Sequence, residues 1–178
     1  MLQAEIAGRT IPSCDGYLSV GHMMRDFQLC SSKAHSVLRS DCRQHSNMVL
    51  VFTSKSRLSA ELLSELKVHR PDLPEKETRI PVIVPGSLPR VAELKRALHL
   101  DLRIVADVDG RVHRSMAADD QSGHILPAVF VADRFGEIFS AYKSVQNNKL
   151  LDIEEILSWI DFINRPSMSR CGPLEWPD

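Results

Sequence analysis

Blocks of apolar and polar residues follow one another along the chain, and they predict strands and helices in turn. The first strong signal is 47–53, a continuous apolar and β-branched run that is typical of a strand buried on both faces. Leucines then recur at helical spacing from Leu58 and stop before Pro71, which predicts an amphipathic helix. Shorter apolar runs at 79–84 and 102–106 predict two further strands.

Proline residues refine this part of the prediction. Pro81 lies within the run 79–84, and it favours a strand start or an edge position because proline has no backbone N–H. Pro89 follows Ser87 and Leu88 in a pattern typical of a helix start. The inner face of this second helix is predicted to be apolar at Val91, Leu94, Ala97 and Leu98.

The last third of the chain predicts a turn, a hairpin and a helix. A turn is expected at 107–110, and strands at 127–132 and 137–142 are joined by the glycine-containing loop Asp133–Gly136. Isoleucine and leucine then recur at helical spacing from Ile153 to Ile163. With a short strand at Val37-Leu38, this order predicts an α/β sandwich with a central mixed sheet and helices on both faces.

Composition narrows the class of protein. The 178 residues are 43% apolar and 25% charged, which suits one compact domain, and the formal net charge is -1. A chain so close to neutrality lacks the basic footprint of a nucleic-acid or anionic-membrane binder. No apolar run approaches the roughly 20 residues of a membrane span, and the first residues lack the features of a signal peptide, so we expect a cytoplasmic location.

Several segments between residues 21 and 163 resemble the thioredoxin-like superfamily, and within it the peroxiredoxin branch of alkyl hydroperoxide reductases and thiol-specific antioxidants. The resemblance implies a thioredoxin-like three-layer sandwich and an ancestry of antioxidant oxidoreductases. It also implies a cis peptide bond at Pro127, facing the active-site loop. The segments are Gly21-x-x-x-Arg25-Asp26-Phe27-x-Leu29, Val37-Leu38-x-Ser40-Asp41 before 47–52, Asp107-Val108-Asp109-Gly110-Arg111-Val112, and the hairpin 125–138, which is the most specific match.

The chain departs from this family at the catalytic position. The family places a reactive cysteine at the N-terminus of the helix after the central strand, where the helix end lowers the pKa of the thiol. No cysteine occurs in that stretch here, and a serine hydroxyl neither ionises near neutral pH nor forms a sulfenic acid. We therefore expect a pseudo-enzyme, a non-catalytic binding or regulatory module. Its degenerate active-site loop would contain Thr53, Ser54, Lys55, Ser56, Arg57 and Pro127.

Thiol chemistry at a displaced cysteine is the alternative. Cys42 and Cys171 are the candidate redox residues of a thiol-dependent oxidoreductase or peroxidase, although neither lies at a predicted helix N-terminus. Cys30, His35, Cys42 and His45 lie close in sequence, but their spacing matches no standard zinc pattern, so no metal site and no cofactor are predicted. His113 and His124 are expected in solvated loops.

Partners follow from the same reasoning. An unidentified protein or a small anion drawn to Lys55 and Arg57 would bind at the degenerate loop, and a homodimer would form through a sheet edge or the hairpin face. No nucleic acid and no membrane are expected. The predicted organisation is an N-terminal extension over 1–20, a thioredoxin-like domain over 21–165 and a C-terminal tail over 166–178.

Overall fold

Eight strands and four helices make up the part of the chain that the structure describes. The structure is a computed structural model, and it describes residues 18–31, 36–38, 45–54, 57–69, 78–99, 102–116, 124–143 and 153–165. The elements are β1 (Gln28–Ser31), β2 (Ser36–Leu38), β3 (Asn47–Phe52), α1 (Arg57–Val68), β4 (Thr78–Arg79), β5 (Pro81–Pro85), α2 (Leu88–Leu98), β6 (Arg103–Asp107), α3 (Arg111–Ser115), β7 (Ala128–Ala132), β8 (Ile138–Lys143) and α4 (Ile153–Asn164).

The strands form one mixed sheet in the order β2-β1-β6-β5-β3-β7-β8, and β4 pairs with the start of β3. Strands β3, β5 and β6 are parallel, whereas β1, β7 and β8 run antiparallel to their neighbours. The predicted strands and the β7–β8 hairpin are confirmed. Pro81 begins β5, which lies inside the sheet between β6 and β3, so the strand-start reading of this proline is the correct one.

Side chains on the two faces of the sheet form two apolar layers, because successive residues of a strand point to opposite faces. Val49 and Val51 of β3 pack with apolar residues of α1, α2 and α4. Leu50 and Phe52 point the other way and pack with α3 and with residues 18–29. The structure is therefore the predicted three-layer α/β sandwich, with helices on both faces of a mixed sheet.

Three details of the sequence prediction are wrong. The residues after the turn at 107–110 form the helix α3, and His113 on this helix is completely buried, so it does not lie in a solvated loop. Ala97 is exposed, although it was expected on the inner face of α2. The peptide bond before Pro127 is trans, since the described residues include no cis bond. A trans bond is the more stable isomer, and Pro127 leads directly into the extended backbone of β7.

None of the described helices is long and apolar enough to cross a lipid bilayer.

Candidate functional site

The predicted loop lies at the carboxyl end of β3. Thr53 and Ser54 directly follow this strand, and α1 begins at Arg57. Phe52 pairs with Ala128 in the antiparallel ladder, so the register places Pro127 opposite Thr53. The structure thus places Pro127 beside Thr53, at the start of this loop, and the role of the loop stays a prediction. Lys55, Ser56, Cys42 and Cys171 lie outside the described residues, and Arg57 is described only as part of the backbone of α1.

Thr53 is held by three hydrogen bonds to two residues, Ile83 and His113. Its backbone N–H donates to the carbonyl oxygen of Ile83 on the neighbouring strand β5, at 2.9 Å, and its Oγ1 donates to the same oxygen at 3.1 Å. Its own carbonyl oxygen lies 3.2 Å from Nε2 of His113. The side chain of Thr53 is buried, so these bonds fix the point at which the chain leaves β3.

His113 connects this loop to the end of β6. Its Nδ1 lies 2.6 Å from Oδ2 of Asp107, and its backbone N–H donates to the same oxygen at 2.8 Å. Both residues are buried, with 0% of His113 and 3% of Asp107 exposed. The imidazole also packs edge-on against the Phe52 ring at a centroid distance of 5.0 Å. We call Asp107, His113 and Thr53 the buried network.

The partners of the buried network determine where its protons lie. Burial raises the pKa of the Asp107 carboxyl, but hydrogen bonds from the side chain and backbone of His113, its charge, and the Val112 N–H outweigh burial and hold that pKa below its ordinary value. The Asp107 carboxylate therefore accepts hydrogen bonds at neutral pH. The carbonyl oxygen of Thr53 accepts them at any pH. Nδ1 of His113 therefore faces the Asp107 carboxylate and Nε2 faces the Thr53 carbonyl oxygen, so both ring nitrogens lie against buried partners.

A cleft of about 450 Å³ opens beside Ser54, between α1 and α2. Its walls are mainly apolar, with Leu63 and Leu94 among the lining residues. At its polar end, the Ser54 N–H donates to Oγ of Ser59 at 2.8 Å. Arg90 lies on the α2 side of the cleft. A cleft of this size is within the range of small-molecule sites, and the residues that line it carry hydroxyl groups but no thiol.

The hydrogen bond between Ser54 and Ser59 gives a first testable prediction. Ser59 is buried, and its Oγ accepts the Ser54 N–H inside the cleft. We expect Ser59→Ala to lower the free energy of unfolding by about 1–3 kcal/mol, because the substitution leaves a part-buried N–H without its acceptor. Urea denaturation would measure the loss. Ser64→Ala is the control, since the Ser64 hydroxyl is exposed and bonds only to its own helix, and an equal loss in the two variants would contradict the prediction.

The described residues contain no group of three or more His, Cys, Asp or Glu side chains placed to hold a metal ion. Two of the four residues considered for zinc, His35 and Cys42, lie outside the described part of the chain. The predictions of no metal and no cofactor therefore stay predictions.

Sequence reasoning missed Asp107 and His113 as a pair. The segment 107–112 was identified, but only as a turn. A signal was available, because Val112 and Met116 are apolar residues four apart after a glycine, which is compatible with one helical turn. His124, the other histidine of this region, is exposed as predicted.

Comparison with known proteins agrees with this fold. The model of the AhpC/TSA family matches residues 20–141. The peroxidoxin BcpB from Mycobacterium tuberculosis superposes with a TM-score of 0.71 at 15% identity, over 83% of this chain and 99% of that chain. The thiol peroxidase from Chromobacterium violaceum gives 0.67 at 14% identity, over 83% and 88%.

A third solved structure, AhpC from Enterococcus faecalis, gives a TM-score of 0.66 at 16% identity and covers 80% of this chain and 90% of that chain. No curated protein matches the sequence. At such low identities the structural likeness shows the fold, which is the thioredoxin-like fold that the sequence predicted.

Proposed function

The chain belongs to the AhpC/TSA family, and from that premise we propose that it is a non-catalytic member, a binding or regulatory module without peroxidase activity. The observation that carries the proposal is the composition of the stretch from Thr53 to Arg57. It stands where the family has its reactive thiol, at the junction of β3 and α1, and it contains no cysteine. Reduction of a peroxide at this position requires a thiolate, which serine and threonine cannot supply.

The buried network supports the same proposal. A serine nucleophile would need a base to accept its proton, and histidine is the usual one. The nearest candidate in the network is His113, and both of its ring nitrogens already face buried partners, Nδ1 the Asp107 carboxylate and Nε2 the Thr53 carbonyl oxygen. We therefore assign this histidine to holding the loop in place.

The cleft between α1 and α2 is the proposed binding site of the module. Its lining is mainly apolar, with the two serines Ser54 and Ser59 and two residues of opposite charge, Arg90 and Glu93, which suits a small ligand or one side chain of a partner. The proposed occupant of the cleft is either an unidentified protein or a small anion. Thermal shift with phosphate and sulfate would test the anion, since a ligand that binds the folded state raises Tm.

A homodimer is a further part of the proposal. Strand β8 is one edge of the sheet. The backbone of Gly21 and His22 bonds to Ile138 at its start, and no named strand among the described elements pairs with its outer side. Sedimentation velocity would determine whether the protein associates.

The limits of the N-terminal extension and of the C-terminal tail also remain proposals, and so does the cytoplasmic location.

Peroxide consumption with a thiol reductant is the deciding experiment. We expect the wild-type protein to consume hydrogen peroxide no faster than a variant in which Cys14, Cys30, Cys42 and Cys171 are all serine. Enzymes typically accelerate reactions by 10⁶-fold or more, so a genuine peroxidase would be unmistakable.

Single variants distinguish the two functions. Turnover that disappears in Cys42→Ser or in Cys171→Ser, and survives in Cys14→Ser, would overturn the proposal and establish a peroxidase that uses a displaced cysteine. Alkylation at neutral pH provides an independent readout, because a catalytic thiol has a lowered pKa and reacts faster than an ordinary one.

A further inference from the structure

A second groove lies at the end of the sheet opposite Thr53, and the proposed function does not use it. It has a volume of about 780 Å³ and is bounded by the start of β3, the β7–β8 loop and the end of α4. His45 and Asn47 lie on the β3 side, Phe135 on the loop, and Phe162 on α4. We call this the aromatic groove.

Hydrogen bonds hold the walls of the aromatic groove in place. Oδ1 of Asn47 accepts the backbone N–H of Arg134 at 2.8 Å, and Nδ2 of Asn47 donates to Oδ1 of Asn164 at the end of α4. In the hairpin loop, Oδ1 of Asp133 accepts the backbone N–H groups of Phe135, Gly136 and Glu137 at 2.8–2.9 Å. The groove is thus a built feature of the fold.

Large aromatic side chains stand exposed on these walls. Phe135 is 52% exposed and Phe162 is 53% exposed. Phe162 contacts two further rings, Phe139 at a centroid distance of 6.1 Å and Trp159 at 5.8 Å. An exposed cluster of rings in a groove is typical of a surface that binds another apolar group.

Charged groups of both signs lie beside these rings, the guanidinium of Arg134 and the carboxylate of Asp133 among them. The guanidinium of Arg134 lies over the Phe135 ring, 5.2 Å from its centroid, and it pairs with no carboxylate among the described residues. Arg165 is already paired with Asp161 at 2.8 Å, and Asp133 is engaged by the backbone of its own loop. The occupant that fits the groove therefore combines an aromatic or large aliphatic side chain with a nearby carboxylate.

We propose that the aromatic groove binds the chain's own segment 166–178. This segment begins immediately after Arg165, which itself lines the groove. It contains Trp176 between Glu175 and Asp178, with Leu174 nearby. The segment therefore supplies both the apolar side chain and the carboxylate that fit the groove.

The connection also has sufficient reach. Trp176 lies eleven positions after Arg165 along the chain, and each residue spans up to about 3.5 Å when extended. The segment is therefore long enough to fold back over the groove, which is lined by Arg165, the residue just before the segment. A short tether of this kind gives an effective concentration of order millimolar, so weak contacts suffice for docking.

Tryptophan fluorescence tests the docking, because the chain has only two tryptophans. In full-length Trp159→Phe, which keeps an aromatic ring beside Phe162, all tryptophan emission comes from Trp176. We expect this emission to be blue-shifted relative to the urea-unfolded chain and protected from acrylamide. Adding Phe162→Ala is expected to shift it to the red and to raise the quenching constant about fivefold, through loss of the ring contact.

Matched variants make the test specific. Val68→Ala removes an apolar side chain of α1 that is more exposed than Phe162, at 73%, and should leave the emission unchanged. Arg134→Glu should expose Trp176 in the same way as Phe162→Ala, whereas Arg134→Lys should not. Far-UV circular dichroism would verify that each variant is folded.

Three results would overturn the docking proposal. The first is Trp176 emission in the Trp159→Phe protein that matches the unfolded chain. The second is no response to Phe162→Ala. The third is a blue shift that disappears on dilution, which would assign the groove to the tail of a second copy. None of these depends on peroxide chemistry, so the docking proposal and the proposed function fail or stand separately.

Discussion

Replacing His113 by alanine is expected to lower the free energy of unfolding by about 3–5 kcal/mol, because it leaves a buried carboxylate without its main partner. The carboxylate is that of Asp107, and the Thr53 carbonyl oxygen would lose its contact with Nε2. It would also leave a cavity beside the Phe52 ring. We expect this to be the largest effect of any single histidine substitution among the described residues.

Urea and thermal denaturation would measure the loss. For a chain of this size the expected fall in Tm is of order 6–20 °C. His45→Ala is the matched control, since His45 is exposed and should change stability by no more than about 0.5 kcal/mol. A loss below about 1 kcal/mol in His113→Ala would mean that the imidazole is not part of a buried network.

Replacing Asp107 by asparagine should have the second largest effect, and this effect should depend on pH. The folded-state pKa of Asp107 lies below its ordinary value, so folding is favoured by the ionised form. The stabilisation is fully present above the unfolded pKa of about 4, and it is lost as the pH falls through the lower folded-state pKa. The variant should therefore differ most from the wild type at neutral pH.

Urea denaturation of both proteins at pH 7, 5 and 3 would test the direction of this pH dependence. We expect a loss of about 2–4 kcal/mol in Asp107→Asn at pH 7 and at pH 5, and a smaller difference at pH 3. Asp161→Asn is the control, because the carboxylate of Asp161 is exposed and its pair with Arg165 contributes little. A difference that stayed constant from pH 7 to pH 3 would show that the charge of Asp107 does not stabilise the fold.

These two substitutions also bear on function. The Thr53 carbonyl belongs to the loop that leads into α1 and forms part of the cleft. Loss of the buried network should therefore loosen the proposed binding site as well as the fold. The network fixes the position of Thr53, the residue at which the chain leaves β3.

Local patterns predicted most of the elements well. The strand β3 and the amphipathic helices α1 and α4 are long enough for several repeats of their period, so the apolar positions identify both the element and its buried face. The helix α3 has only five residues, Arg111–Ser115, which is too short for a periodic signal. The strand β1, Gln28–Ser31, was also missed, because four residues that include polar side chains carry little pattern.

The peptide bond before Pro127 shows a different limit of prediction from sequence. The motif around it is similar to that of a family in which this proline is cis, yet the bond here is trans. A motif constrains which residues are present, whereas the isomer depends on how the backbone continues into the neighbouring strand. The wrong prediction came from the family resemblance and not from the properties of the residues.

By itself, the order of residues determined the α/β class, the succession of strands and helices, and the lack of cysteine between Thr53 and Arg57. Only the tertiary structure decided that His113 is buried and bonded to a residue 60 positions away in the chain. The physical reason is the sheet. Strands β3, β5 and β6 are parallel neighbours, so Thr53 and Asp107 reach the same edge, and an imidazole between them is excluded from water and bonded on both sides.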